Sequence, residues 1–87
     1  MKRRFTVVWD APALKRLAAM WNDNPAIRTE ISDASDRIDA TLKLEPESVG
    51  VPRGRSRYVV LPPLAILFRV IEEDSQVRIL YIKHWYD

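Results

Sequence analysis

The chain contains no cysteine, two glycines and a single histidine in 87 residues. Without cysteine it has neither a disulfide framework nor a thiolate metal site, and one histidine excludes a His-rich site. With glycine confined to positions 50 and 54, there is no Gly-rich phosphate loop and no Gly-x-Ser-x-Gly elbow. No metal and no cofactor is therefore expected. Long hydrophobic runs are also missing. The longest, Tyr58–Phe68, has 11 residues interrupted by two prolines, too short to span a bilayer. Met1-Lys2-Arg3-Arg4 carries the charge of a signal-peptide n-region, but no apolar h-region or cleavage site follows. The expectation is a cytoplasmic chain with no membrane partner.

What is present is an ordinary globular composition. A hydrophobic fraction of 47% argues against disorder, and the length fits a single domain over residues 1–87. The net charge is only +2, but it is unevenly spread. Residues 1–21 hold five basic and one acidic residue, residues 22–51 three and seven, and residues 52–87 six and four. A basic face for a polyanion and an acidic one for a basic partner would follow; a mixed solvated surface is the plainer alternative.

The periodicities order the elements. Arg4–Trp9 is aromatic and β-branched, a first strand. Asp10 is placed to cap a helix that Ala11-Pro12 opens. Leu14, Leu17, Ala18 and Trp21 follow at i, i+3, i+4 and i+7, one apolar helical face. Asn24-Pro25 repeats the start signal for a second helix. Its stripe is Ile27, Ile31, Ala34, Ile38 and Leu42, and it ends before Pro46. Asp33, Asp36 and Asp39 border that stripe, a wet face rather than a ligand set. The short turn between the helices makes them an antiparallel hairpin. Glu45–Gly54 is a loop or short strand. Tyr58–Leu61 and Leu64–Val70 then form a β-hairpin around Pro62-Pro63, a pair unable to donate ladder hydrogen bonds. After the polar turn Glu72–Ser75, Val77–Trp85 is a last strand, its alternation placing Val77, Ile79, Tyr81 and Lys83 on one face and Arg78, Leu80, Ile82 and His84 on the other. The order β-α-α-β-β-β describes an α+β fold, a helical hairpin on a mostly antiparallel sheet.

The residues able to carry chemistry are basic or hydroxylic: Arg53, Arg55, Arg57, Tyr58, Arg69, Lys83, His84 and Tyr86. Arginine suits phosphate because its planar fork donates two hydrogen bonds and keeps its charge. Cleavage of RNA by its own 2′-hydroxyl needs a base, cations for the charge building on phosphorus, and an acid for the leaving oxygen. His84 or Lys83 suits the base, Tyr86 the acid, and Arg55 or Arg57 the clamp, with Arg53, Arg69 and Lys83 as further nucleic-acid contacts. Each also has an ordinary reading as a solvated surface group.

Val8-Trp9-Asp10-x-x-Ala13-x-x-x-Leu17-Ala18, the loop Glu45-Pro46-x-x-x-Gly50 and the closing strands with their aromatic tail resemble the RelE/ParE family of bacterial toxins. The resemblance implies a type II toxin–antitoxin system, with a cognate antitoxin gripping the helices and a sheet edge. It implies metal-independent cleavage of messenger RNA at the ribosome for RelE-like members, and poisoning of DNA gyrase for ParE-like ones. A homologue that only binds antitoxin or operator DNA is a further alternative. Through the resemblance His84 and Tyr86 take catalytic positions, and Arg55 and Arg57 lie in the stretch where such toxins place cations. The chain departs from the pattern at Ala65 and Trp85, where RelE-type nucleases carry arginine.

Overall fold

In the computed structural model, which describes residues 3–85, five strands form one mixed sheet. β1 (Thr6–Trp9) precedes helices α1 (Ala11–Asp23) and α2 (Arg28–Leu42); β2 (Val51–Arg53), β3 (Ser56–Leu61), β4 (Leu64–Ile71) and β5 (Gln76–His84) follow. Their spatial order is β1-β5-β4-β3-β2. Only β1 and β5 run parallel; every other pairing is antiparallel. This is the α+β arrangement expected from the sequence, with the segment after Pro46 supplying an additional short strand. No helix among the described residues is long and apolar enough to cross a membrane.

Apolar alternation on β4 decides which face the helices cover. Leu64, Ile66 and Phe68 point toward α2, whose Ile31, Ala34, Ile38 and Leu42 are all buried against the sheet. Each of these side chains except Ala34 contributes about 1.5–3 kcal/mol by leaving water. The turn between β3 and β4 is Pro62-Pro63, joined by a cis peptide. The Pro63 carbonyl accepts the Trp85 N–H at 2.9 Å.

The helices begin and end with different devices from those their sequences suggest. Asp10 stands at the start of α1 but makes no side-chain cap; its carboxylate instead accepts Arg78 Nε at 2.9 Å and Nη2 at 2.6 Å. Asn24 does not cap the second helix either. A 3-10 turn, Pro25–Ile27, comes first. The Asn24 amide turns back to donate to Met20 O at 2.7 Å. Arg28 donates to Trp21 O and Asn22 O while lying over the Trp21 ring, so the last carbonyls of α1 are satisfied from α2.

The face of α1 is where pattern and structure part. Leu14, Leu17, Ala18 and Trp21 share a side of the helix, but that side borders an open groove with α2, leaving Leu14 54% and Trp21 40% exposed. Ala13 and Met20 are the buried positions. The helix has two adjoining apolar stripes, and periodicity alone cannot say which turns inward.

The alternation of β5 is likewise broken. Leu67 pairs with Tyr81 but Phe68 pairs with Ile79, so Leu80 is an extra residue, a β-bulge. Val77, Ile79 and Ile82 consequently all face the core and are fully buried. Tyr81 and Lys83 turn to the opposite side. The bulge sits where β1 ends, just after Asp10 N–H bonds Ile79 O at 2.9 Å. Beyond it β5 is an edge strand, with α1 alongside.

Two glycines have left-handed backbones, Gly50 at φ +70° and Gly54 at φ +62°. A β-carbon at Gly50 would overlap Tyr58 O and lie 2.9 Å from Val59 Cβ, whereas at Gly54 it would meet open space. Gly50→Ala therefore combines left-handed strain with overpacking, a loss of about 2–4 kcal/mol. Gly54→Ala carries only the strain, about 1 kcal/mol. Urea midpoints of the two variants should separate in that order.

Candidate nucleic-acid interface

The sheet face turned away from the helices is assembled by register. Tyr58 lies opposite Leu67, Val60 opposite Ala65, Ala65 opposite Lys83 and Leu67 opposite Tyr81. These residues alternate with the core-facing set and so share the uncovered side. Val51 pairs with Tyr58 and Arg53 with Ser56, which brings the β2 edge onto the same surface.

At its centre is a concavity of about 190 Å³ lined by Arg53, Tyr58, Ala65, Ile66, Leu67, Tyr81 and Lys83. The surrounding side chains leave Ala65 only 1% exposed. Arg53 is held over the Tyr58 ring, its guanidinium carbon 4.8 Å from the centroid. Stacking fixes the guanidinium without using its N–H groups. No carboxylate lines the concavity. It is a small basic cup with two phenols and two cations. Among the described residues no group of three or more His, Cys, Asp or Glu side chains is placed to hold a metal.

The residues singled out from the sequence divide among different places. Arg53 and Lys83 enter the cup. Arg55 is exposed in the tight turn between β2 and β3 and does not line the cup. Arg69 is exposed on the same face, but it lies farther along β4, opposite Arg78. Arg57 pairs with Phe68 and thus belongs to the helix side. Its Nε donates to Val49 O at 2.8 Å and its Nη2 to Gly50 O at 3.0 Å. His84 pairs with core-facing Leu64 and its Nε2 lies 3.2 Å from Asn24 Nδ2, so it and Lys83 sit on opposite faces. Tyr86 lies outside the described residues. Tyr81, 48% exposed, did not emerge from the sequence because strict alternation of β5 gave no sign of the bulge. Its aromatic character was the available signal. Of the three aspartates, Asp39 accepts Trp9 Nε1 at 3.0 Å, and Asp33 and Asp36 are exposed.

No family model matches the chain, and no curated protein matches it in sequence. Solved structures do match in fold. A chain of the toxin–antitoxin complex RelBE2 from Mycobacterium tuberculosis superposes with a TM-score of 0.75 at 20% identity, covering 98% of this chain and 95% of that one. A chain of the chromosomal ParDE toxin–antitoxin system from P. aeruginosa gives 0.67 at 17% identity, with coverages of 95% and 98%. The isolated RelE toxin of E. coli gives 0.57 at 14% identity, with coverages of 95% and 86%. The chain is structurally similar to the RelE/ParE toxins, and its fold is theirs.

The contrasting geometry of Arg53 and Arg57 is measurable. Arg57→Ala leaves two loop carbonyls without their charged donor and should lower stability by about 1–2 kcal/mol. Arg53→Ala removes a solvent-facing stack and should stay within about 0.5 kcal/mol of the parent. Urea unfolding of both variants reads the difference.

Proposed function

We propose that this chain is the toxin of a type II toxin–antitoxin pair that inhibits translation by cleaving messenger RNA at the ribosome without a metal. The observation that carries this reading is the cup on the uncovered sheet face, where Arg53, Lys83, Tyr58 and Tyr81 surround Ala65 with no carboxylate among them. The structural likeness to the RelBE2 and RelE chains supports it. In this reading Arg53 clamps the scissile phosphate and stabilises charge on its oxygens. Lys83 accepts the proton of the attacking 2′-hydroxyl, and a tyrosine, Tyr58 or Tyr81 of the cup or else Tyr86, protonates the departing 5′-oxygen. The products are a 2′,3′-cyclic phosphate and a free 5′-hydroxyl. Arg55, in the β2–β3 turn, and Arg69, on β4, supply further cations for the RNA strand to meet.

Losing one preorganised cation costs about a hundredfold in rate. Arg53→Ala with Lys83→Ala should therefore abolish growth inhibition when the chain is induced alone, with folding unchanged. Pulse-labelling of the parent gives the target. Protein synthesis collapsing before DNA synthesis supports this reading. DNA synthesis failing first supports gyrase as the target, the second reading, which the likeness to the ParDE chain favours. Unchanged synthesis of both with soluble chain accumulating leaves a binding-only homologue.

The antitoxin needs a surface of its own. The groove between α1 and α2 has a volume of about 350 Å³ and is lined by Leu14, Leu17, Ala18, Trp21 and Ile31, with serines at its edge. Exposed apolar positions at helical spacing suit an amphipathic partner helix. Leu14→Asp, at a half-exposed position, should leave the fold intact and prevent a co-expressed adjacent small reading frame from relieving growth inhibition. Full relief would remove the groove from the interface.

A further inference from the structure

The basic surface does not end at the cup. On the far side of Tyr81 is a second concavity, of about 420 Å³, lined by Pro12, Lys15, Arg16, Ala19 and Tyr81. The two share Tyr81 as a common wall. Arg16 lies over the Tyr81 ring, its guanidinium carbon 5.4 Å from the centroid, as Arg53 lies over Tyr58 at 4.8 Å. Neither concavity is lined by a carboxylate. By contrast, the hollow at the other end of the molecule is lined by Glu45, Glu47 and Glu72.

The fate of each guanidinium sharpens the point. Arg3 and Arg28 are also stacked on rings. Arg3, however, donates to Glu72 and Ser75, and Arg28 to the carbonyls of Trp21 and Asn22. Among the described residues Arg16 and Arg53 are the two that stack on an aromatic ring without a hydrogen-bonded acceptor of their own. Both stack on tyrosines, and the two tyrosines lie on either side of Leu67, with Lys83 two residues from Tyr81 on the same strand. A stacked guanidinium with unused donors is preorganised for an anion. A row of cations interleaved with aromatics suits single-stranded nucleic acid.

We propose that the Lys15–Arg16–Tyr81 concavity is a second nucleotide subsite. It would take the sugar–phosphate unit next to the one held in the Ala65 cup, so that single-stranded RNA crosses the free edge of β5 onto α1. Tyr81 divides the two units, and Lys15 and Arg16 neutralise the phosphate beyond it. This rests on the RNA reading of the cup.

The test is fluorescence anisotropy with a 2′-O-methyl RNA hexanucleotide, whose blocked hydroxyls prevent cleavage, titrated across a range of salt. Both Lys15 and Arg16 are exposed on a helix, so Lys15→Ala with Arg16→Ala should preserve the fold. The pair should weaken hexamer binding by roughly tenfold and shrink the salt slope of log K by about 0.7, the single-strand value for one neutralised phosphate. Arg53→Ala with Lys83→Ala is the reference for the cup. If that reference pair abolishes binding while the α1 pair leaves affinity and slope unchanged, the second subsite is wrong and the RNA reading stands. If the parent chain does not bind the hexamer, both fail. If the α1 pair leaves RNA binding intact but loses binding of a poly-glutamate peptide, the concavity serves an acidic polypeptide and the proposal is overturned.

Discussion

The extra residue Leu80 in β5 is the constraint on which the surface chemistry depends. Up to Ile79 the strand is enclosed between β4 and β1, and its register is set by both neighbours. Past that point β1 is gone. A bulge there advances the pleat by one residue, because side-chain direction has a period of two. Ile82 can then join Val77 and Ile79 in the core, and Tyr81 and Lys83 are delivered to the uncovered face. Without it, either Ile82 or the pair Val77 and Ile79 would have to face water. Burial of these three, each 0% exposed, decides in favour of the bulge, and the placement of Lys83 follows.

The same economy governs the arginines. Arg57 and Arg78 face acceptors supplied by their own chain: two loop carbonyls for one, the Asp10 carboxylate for the other. Their charge is committed to holding the β2 entrance and the β1–α1 junction. Arg16 and Arg53 are positioned by aromatic rings, which fix a guanidinium without consuming its donors. A basic surface is thus of two kinds, one part tied into the fold and the other left facing solvent. Charge counting in sequence cannot separate them. Burial alone is little better, because the difference lies in what each donor meets.

Much of the architecture was legible in the sequence. The stripe from Ile31 to Leu42, the proline turn of the β3–β4 hairpin and the order of elements were all local patterns that the tertiary structure had no reason to override. The inward face of α1 was not legible, because Leu14 and Trp21 keep the same period as Ala13 and Met20. The sides of β5 were hidden for another reason. A bulge is set by where a neighbouring strand stops, and that neighbour, β1, is 70 positions away in sequence. The candidate site was half legible. Arg53 and Lys83 could be found by charge and proximity to the hairpin, whereas the separation of Tyr81 and Lys83 from the core-facing Val77 and Ile79 required knowing the bulge.

These surfaces meet on α1. One side of this helix carries Leu14, Leu17 and Trp21 to the groove with α2, and another carries Lys15 and Arg16 to the edge of β5. A partner helix confined to the groove would lie behind the sheet from the Ala65 cup and would not cover it. On the proposed reading, neutralisation therefore has two physical routes. The bound segment can continue past Trp21 or Leu14 and over the basic track, where acidic side chains would compete with phosphate for the unused donors of Arg16 and Arg53. Alternatively, seating apolar side chains in the groove can shift α1 against β5, moving Arg16 off Tyr81 and loosening the wall that both concavities share. The first demands an acidic, extended continuation of the partner and weakens with salt. The second demands neither, since its driving force is apolar burial. The position of α1, packed against the one edge strand whose face carries Lys83, is what makes either route available.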